Sequence, residues 1–231
     1  MKRTRPQEGG FTLLEVLVAV SILAVMMIIA YGTTSTTVKA KKGYEEVQDR
    51  YREVRVAMNR LVSDLSMAYV SQNEDRTLLE PRTFFQGDSG GDHDKLRFST
   101  FAHTPLLADA NESDQTIVSY QVSPDPDDRG RDNLMRRETR RLPSGDEKWD
   151  QAKAANDILL TGVKKFKLEY YDFTDKEWKD GWSTQNTDGR LPRPPDRVRI
   201  TLVIMNDLKE ELTFTTQVRI HMQELIQSYA N

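Results

Sequence analysis

The most constraining feature of the sequence is an apolar run of 21 residues from Phe11 to Tyr31. Eighteen of these residues are apolar. The three exceptions are Thr12, Glu15 and Ser21. A helix of this length rises about 1.5 Å per residue and spans roughly 31 Å, which matches the hydrocarbon thickness of a bilayer. The sequence therefore predicts one transmembrane helix over residues 11–31.

The residues before the run carry a surplus of positive charge. They contain three cations, Lys2, Arg3 and Arg5, and one acid, Glu8. Basic residues beside a membrane span remain on the cytoplasmic side, so we expect residues 1–10 in the cytoplasm and the residues after Tyr31 on the far side of the membrane. A secretory signal peptide is the rival interpretation, with cleavage among the small residues of 32–37. The apolar run is longer than an ordinary signal core and has an ionisable group near its start, which favours a retained anchor.

Glu15 is the ionisable group in this run. A charge at mid-membrane costs about 2.5 to 3.5 kcal/mol on insertion scales, and less near the interface. Either the side chain reaches the cytoplasmic interface, or it pairs with a positive charge on a neighbouring subunit. Pairing lowers the cost of a charge in a medium of low dielectric constant. The residues alone leave both interpretations open.

The residues around Glu15 resemble the class III signal of type IV pilins and type II secretion pseudopilins. The stretch from Gly10 to Val16 reads Gly-Phe-Thr-Leu-Leu-Glu-Val, after a basic leader and before an unbroken apolar run. The resemblance implies that a prepilin peptidase cleaves between Gly10 and Phe11 and that Phe11 is N-methylated. It also implies that Glu15 is an assembly residue, which meets the Phe11 amine of an adjacent subunit.

A second, amphipathic stretch of helix is predicted after the membrane run. Its apolar stripe, which we expect to pack onto a sheet, consists of Val47, Tyr51, Val54, Met58, Leu61 and Leu65. The spacing of three and four residues keeps the stripe on one helix face, so charged residues such as Arg60 and Asp64 are expected on the other faces. The residues Gly32–Thr37 include weak helix formers, and the helix is predicted to end near Val70–Asn73. A coiled coil is the alternative, but the stripe covers only about three heptads before strands begin.

Period-two alternation predicts antiparallel strands with one solvated face. The alternating segments are 96–98, 118–122, 166–170, 198–204 and 212–214, with 218–222 continuing the last. The final two strands are joined at 205–209 into a long hairpin. Its exposed side is expected to carry Arg197, Arg199, Arg219 and His221. Loops, rich in Gly, Asp, Ser and Pro, are predicted at 85–94, 106–114, 124–133 and 182–195.

The fold class that follows is α+β, with a long N-terminal helix packed on a head of antiparallel sheet. The resemblance implies that this is the pilin-like fold. Four parts are expected along the chain. They are a cytoplasmic leader over 1–10, a transmembrane helix over 11–31, an amphipathic stem helix over 32–73 and a periplasmic head over 74–231.

The head is similar to the J-type minor pseudopilin of type II secretion systems. The residues that carry this resemblance are Leu159–Val163, Phe166, Leu168, Tyr170–Asp172, Trp178, Trp182, Leu191, Pro192 and Val198–Leu202. The stretch 74–153 contributes little to it. The resemblance implies a structural subunit, anchored in the lipid of the inner membrane, that joins I-type and K-type minor pseudopilins and other pseudopilins at the tip of a pseudopilus. It implies no cofactor and no catalytic residue.

Three motifs look functional but are interpreted as structural. Gly87–Gly91 reads like a serine-protease nucleophile loop around Ser89, but that fold needs a histidine base earlier in the chain, and every histidine here follows Ser89. Asp125–Gly130 begins like a calcium loop, but its fifth and twelfth places hold arginine where oxygen ligands are needed, so no metal site is expected. Trp178 and Trp182 are interpreted as a packed hairpin corner.

Composition excludes further classes. The net charge of -3 excludes a nucleic-acid binder that works by phosphate neutralisation. With no cysteine, the chain has no disulfide, no thiolate zinc site and no cysteine nucleophile. Three alternatives to the secretion pseudopilin remain: a minor pilin of a type IV pilus, a membrane-anchored periplasmic binding module, and an anchored hydrolase that uses Ser89.

Overall fold

The computed structural model describes residues 10–71, 81–104, 112–128, 130–139, 141–142, 149–150, 152–185, 192–205 and 210–223. The chain consists of two compact units, Met1–Arg50 and Tyr51–Asn231. One helix, α1, runs from Leu13 to Ser66. The described strands are β1 (Phe85–Asp88), β2 (Lys95–Thr100), β3 (Thr116–Pro124), β4 (Asp132–Thr139), β5 (Ala154–Leu160), β6 (Val163–Asp172), β7 (Glu177–Lys179), β8 (Trp182–Ser183), β9 (Arg197–Met205) and β10 (Glu211–Arg219).

The strands form two antiparallel sheets in the second unit. The six-stranded sheet has the order β5-β4-β3-β2-β1-β8, and the four-stranded sheet has the order β10-β9-β6-β7. Strands β9 and β10 pair along their whole length, from Arg197 opposite Arg219 to Met205 opposite Glu211. This pairing confirms the predicted C-terminal hairpin. A helix with two antiparallel sheets confirms the α+β class.

The core of the second unit lies between α1 and both sheets. From α1, the side chains of Val54, Ala57, Leu61 and Leu65 are buried. Their spacing of three and four residues places them on one helix face. They join a single hydrophobic cluster with buried residues of both sheets, among them Phe85, Phe98, Tyr120, Phe166, Leu168 and Ile200.

The two sheets are joined beside Asp94. Its backbone N donates to Phe166 O (2.9 Å), and its buried carboxylate accepts from the backbone N of Leu168 (2.8 Å). Nearby, Gly87 of β1 lies against Tyr170 of β6. A Cβ on Gly87 would stand 1.9 Å from the Tyr170 hydroxyl oxygen, so this approach of the two sheets requires glycine.

Helix α1 ends at Ser66, earlier than the predicted end near 70–73. After Ser66 the backbone bonds to the six-stranded sheet, since Tyr69 N donates to Ser99 O (3.1 Å) and Phe101 N donates to Met67 O (3.2 Å). The Thr100 hydroxyl also donates a hydrogen bond to the backbone carbonyl oxygen of Asp64 (2.8 Å). Sheet bonds thus replace the helical bonds that would continue the last turn.

The prediction of a loop over 85–94 is wrong at its start, where β1 lies, and the loop predicted at 182–195 begins with the short strand β8. Strands β4, β5 and β7 were also not predicted. Because β1 to β4 fall within 74–153, this stretch supplies much of the six-stranded sheet. The leader residues 1–9 and most of the predicted loop at 106–114 lie outside the described residues.

Candidate assembly site

Helix α1 begins with a capping box formed by Thr12 and Glu15. The Oε2 atom of Glu15 accepts hydrogen bonds from the backbone N (3.1 Å) and the hydroxyl (3.2 Å) of Thr12. In return, the backbone N of Glu15 donates to Thr12 Oγ1 (3.3 Å). These bonds satisfy N–H groups that the start of a helix leaves unpaired. The first turn also favours a negative charge, because the helix dipole is positive there.

The contact with Thr12 is the part of this site that the sequence analysis missed. The signal was present, because Thr or Ser three places before Glu, ahead of an apolar run, is a capping-box pattern. The capping box gives Glu15 a partner within its own chain. Gly10 and Phe11 precede the helix and are exposed, with 88% of the Phe11 surface accessible, so the predicted cleavage junction lies next to this capping box.

The segment Leu13–Thr34 is long and apolar enough to cross a membrane. Its serine and threonine hydroxyls bond to backbone carbonyls of the same helix. Ser21 donates to Leu17 O (2.8 Å), and Thr33 and Thr34 both donate to Ala30 O (2.9 and 2.8 Å). Polar groups in lipid need such internal partners, because no water is available. The polar residues of the segment are therefore compatible with a bilayer.

The six predicted stem residues fall into two groups. Val47 and Tyr51 are 44% and 43% exposed, and the Tyr51 ring makes an edge contact with Phe214 at 5.5 Å. Farther along the helix, Val54, Leu61 and Leu65 are buried, and Met58 packs partly against the same core.

The position of Asp64 corrects the sequence analysis, which expected this residue on a helix face other than the apolar stripe. Its side chain is 0% exposed. Its Oδ2 atom accepts from Arg136 Nε of β4 and from the Tyr120 hydroxyl of β3, both at 2.6 Å. Position 64 comes three residues after Leu61 and seven after Ala57, so helical geometry places it in the buried stripe. The carboxylate therefore fixes α1 to the six-stranded sheet.

The charged contacts continue from Arg136 to Glu138. Arg136 Nη1 donates to Glu138 Oε2 at 2.5 Å, and Arg60 Nη2 lies 3.7 Å from the same oxygen. Burial acts to raise the pKa of Glu138, but the hydrogen bonds from Arg136 and His103 outweigh it and lower that pKa. Burial and the nearby Asp64 charge raise the pKa of Tyr120 well above its ordinary range, so its hydroxyl remains a donor.

The loop around Ser89 does not contain the parts of a serine hydrolase among the described residues. Lys167 Nζ lies 3.5 Å from the Ser89 hydroxyl, but Asp94 accepts from the same ammonium group at 2.9 Å. Lys167 is therefore paired with a carboxylate beside Ser89. The ring of His93, four residues after Ser89, lies 3.1 Å from Lys164 O.

The Asp125 motif forms a turn. Asp125 Oδ1 accepts from the backbone N of Asp127 (2.8 Å) and Asp128 (3.2 Å), and Oδ2 accepts from Asn133 Nδ2 (2.9 Å). The bond from Asn133 is the main cause that lowers the pKa of Asp125. Within the described part of the chain, no three His, Asp or Glu side chains are arranged so that they could hold a metal ion.

The two tryptophans lie in different sheets. Trp178 is in β7, where the Arg199 guanidinium stacks 4.0 Å from its ring centre, and Trp182 is in β8, where its Nε1 donates to Arg193 O (2.9 Å). Arg197 and Arg199 share one face of β9, as predicted. His221 differs, because it lies past the end of β10 and its ring Nδ1 is 3.2 Å from Ser66 O, at the end of α1.

Comparison with known families gives a match to the model described as type II secretion system (T2SS), protein J, over residues 32–210. This chain belongs to that family. The model of the prokaryotic N-terminal methylation motif matches residues 5–31, which include Gly10, Phe11 and Glu15. The J-family chain is therefore a minor pseudopilin of the type II secretion system, and the type IV pilus alternative is not favoured.

One solved structure similar to the J-family chain is the GspK–GspI–GspJ complex from the enterotoxigenic Escherichia coli type 2 secretion system. The match has 18% sequence identity and a TM-score of 0.49, and it covers 74% of this chain and 97% of the other. Comparison with curated proteins gives no match.

Proposed function

We propose that this J-family pseudopilin is processed at its cytoplasmic end and assembled from the inner membrane into the tip of the pseudopilus, with its head in the periplasm. The observation that carries the proposal is the position of Glu15. It lies in the first turn of α1, four residues after Phe11, within the methylation motif over 5–31. Cleavage between Gly10 and Phe11 would produce an amino group at the end of the chain, next to the start of the helix.

The capping box explains how Glu15 is kept in the membrane before assembly. Its carboxylate accepts hydrogen bonds from Thr12 of the same chain, so it has polar partners without a neighbouring subunit. A bond from an ammonium group to a carboxylate is stronger than one from a neutral amide or hydroxyl. The Phe11 amine of a neighbouring subunit therefore competes for Glu15, and assembly exchanges the partner within the chain for the partner between chains.

The proposed partners are I-type and K-type minor pseudopilins, other pseudopilins, the prepilin peptidase and lipid of the inner membrane. Membership of the J family supports the pseudopilins and the prepilin peptidase as partners. The apolar segment Leu13–Thr34 supports contact with membrane lipid. The basic residues before the span support a cytoplasmic N-terminus. The role is structural, and we propose no catalytic residue and no nucleic-acid partner.

Mass spectrometry of the native N-terminus tests the processing step. A mature chain that begins with methylated Phe11 is expected. An intact leader over 1–10 would instead support the anchored binding module. A serine-directed fluorophosphonate is expected to leave the protein unlabelled. Labelling at Ser89 would instead support the interpretation as an anchored hydrolase.

The assembly role of Glu15 is tested by Glu15→Ala in cells, with pull-down of I-type and K-type subunits. The variant is expected to be cleaved and folded but to recover far fewer partner subunits than the wild type. Ser21→Ala is the matched control, because it removes another polar side chain of the span that bonds only one turn back, at Leu17 O. Unchanged recovery with Glu15→Ala would contradict the proposal.

A further inference from the structure

The outer face of the four-stranded sheet carries a row of arginine and aromatic side chains, one from each strand. In the order β10-β9-β6-β7, the row consists of Arg219, Arg197, Tyr171 and Trp178. The residues that alternate with them on β9 and β6 are buried in the core. Arginine, tyrosine and tryptophan are the residues enriched at the energetic centres of protein interfaces. The row therefore has the composition of a protein-binding surface.

The aromatic rings of this face hold the arginines in place. The Arg197 guanidinium lies 5.7 Å from the centre of the Tyr171 ring, and the Arg199 guanidinium lies 4.0 Å from the centre of the Trp178 ring. The two rings also contact each other, with their centres 5.2 Å apart. Side chains that are already ordered lose less conformational entropy when they bind. The face is therefore preorganised for a partner.

Two of the arginines share one carboxylate. Arg197 Nε lies 3.1 Å from Asp196 Oδ2, and Arg219 Nε lies 4.0 Å from Asp196 Oδ1. The backbone of Asp196 is fixed on both sides, because its N donates to Tyr171 O (3.0 Å) and its O accepts from Ile220 N (3.1 Å). The Asp196 side chain is only 11% exposed, whereas those of Arg197 and Arg219 are 53% and 70% exposed. The arginines thus reach solvent in front of a fixed, shielded acid.

This arrangement leaves positive charge in excess. Like charges directly opposite each other on neighbouring strands are destabilising. Arg197 and Arg219 are such a pair, and Asp196 offsets only one of their two charges. Arg199 is paired separately with Glu169, at 3.0 Å. Among the charged side chains described in and beside this row, three arginines therefore face two carboxylates.

We propose that this face docks an acidic side chain, Asp or Glu, of a partner pseudopilin, and that Arg219, with Arg197 beside it, pairs with the carboxylate. The inference rests on the assembly role proposed above and adds the part of the head at which a partner binds. The guanidinium group presents its N–H donors in a fixed fork that matches a carboxylate. An added carboxylate removes the excess charge and offsets the repulsion between the two arginines.

The aromatic rings favour a protein as the source of this carboxylate. Tyr171 and Trp178 are partly exposed beside the arginines, so they offer apolar surface on which the rest of a partner side chain can pack. Interfaces between proteins combine such aromatic contacts with charged groups at the rim. The phosphate of an anionic lipid would use the arginines alone and leave the rings without a contact.

The affinity of purified I-type and K-type subunits for the full chain tests the proposal. It is measured in micelles of neutral detergent, which contain no anionic lipid. Arg219→Glu is expected to weaken the binding of one of these subunits on the order of twentyfold, because it replaces attraction to a carboxylate with repulsion. Arg219→Gln removes the attraction alone and is expected to weaken binding by about fivefold.

Arg131→Glu is the matched control. Arg131 is also exposed and also lies 4.0 Å from a carboxylate, that of Asp128, but it belongs to the turn between β3 and β4 of the other sheet. This variant is expected to bind like the wild type. If Arg219→Glu folds poorly, Arg197→Gln provides a second variant with an expected loss of about fivefold.

A charge exchange tests whether the contact is direct. Exposed Asp and Glu residues of the bound partner are changed to Lys one at a time, and one of these changes is expected to restore the affinity for Arg219→Glu by about tenfold. If none restores it, the proposal is overturned.

The remaining outcomes separate this inference from the assembly role. Unchanged binding of Arg219→Glu, or an equal loss in Arg131→Glu, would overturn the docking face and leave the assembly role intact. Unchanged binding is also the result expected if an anionic lipid occupies the face. A wild-type chain that binds neither subunit would contradict the assembly role, and the docking face with it.

Discussion

Asp64 and Arg136 form a buried ion pair between α1 and β4, with Oδ2 2.6 Å from Nε. The Tyr120 hydroxyl donates to the same carboxylate oxygen, and Arg60 lies 3.2 Å from the other one. A buried pair is a weak source of net stability, but it is costly to break, because the remaining charge is left without its partner in the interior. This pair therefore fixes the position of the helix on the sheet more than it adds to the free energy of unfolding.

Asp64→Ala is expected to lower the free energy of unfolding by about 3 kcal/mol, since it removes one of the two carboxylates that pair with the buried Arg136 and leaves its Nε without that partner. Urea unfolding, followed by the fluorescence of the three tryptophans of the second unit, measures this. Glu169→Ala is the control, because it breaks a more exposed pair with Arg199 (3.0 Å) and is expected to cost at most about 1 kcal/mol. The double variant Asp64→Leu with Arg136→Met should recover much of the loss, and an equal or larger loss would argue against an electrostatic origin.

The contacts of Asp172 predict a loss of stability in acid. Burial acts to raise its pKa, but hydrogen bonds from Lys179 Nζ (2.8 Å) and Thr174 N (2.9 Å), with the charge of Arg193, lower it to about 2. A lowered carboxylate pKa gives stability that is present above the ordinary 3.8 and is lost as the pH falls towards the folded value. We expect a loss of roughly 2 kcal/mol between about pH 4 and about pH 2.

Asp172→Asn is expected to remove the loss of stability in acid that protonation of Asp172 causes. The midpoint of urea unfolding, measured at each pH, reports this loss. Asp88→Asn is the control, because it changes an exposed carboxylate and leaves the contacts of Asp172 intact. An acid transition that is the same in Asp172→Asn and in the wild type would show that another group is responsible.

Gly87→Ala is expected to destabilise the head by roughly 1–3 kcal/mol, because the added methyl would overlap the Tyr170 ring and overpack the contact between the sheets. Thermal unfolding measures the effect. Combining it with Tyr170→Leu removes the overlapping ring atoms, so the double variant should lose less than the sum of the two single changes. Additive losses would place the cause elsewhere than in this contact.

Thr12→Val removes the hydroxyl of the capping box and keeps the size of the side chain. We expect the exchange rate of the Glu15 amide to rise about fivefold in micelles, which corresponds to the roughly 1 kcal/mol that an N-cap contributes. Thr12→Ser retains the hydroxyl and should exchange like the wild type. Equal exchange in all three proteins would mean that the hydroxyl contributes nothing to the start of the helix.

The segments that could be predicted from the sequence are those in which the spacing of apolar residues alone indicates a helix or a strand. The hairpin of β9 and β10 and the buried positions Val54, Leu61 and Leu65 are of this kind. The N-terminal methylation motif could also be recognised from the sequence, because its residues are contiguous and their order is specific.

Strand β4 could not be predicted because its inward position 136 holds an arginine. Its residues Asp132–Thr139 contain only two apolar side chains, so the alternation is hidden. The arginine is tolerated inside because Asp64 lies opposite, 72 residues earlier in the chain. Nothing local to either residue indicates the other.

The buried pair between Asp64 and Arg136 also affects how the protein responds to heat. The cost of removing charges from water falls as the temperature rises, while the gain from burying apolar surface reaches a plateau. On warming, the link between the helix and β4 should therefore weaken less than the aliphatic contacts around it, and melting should begin elsewhere in the head.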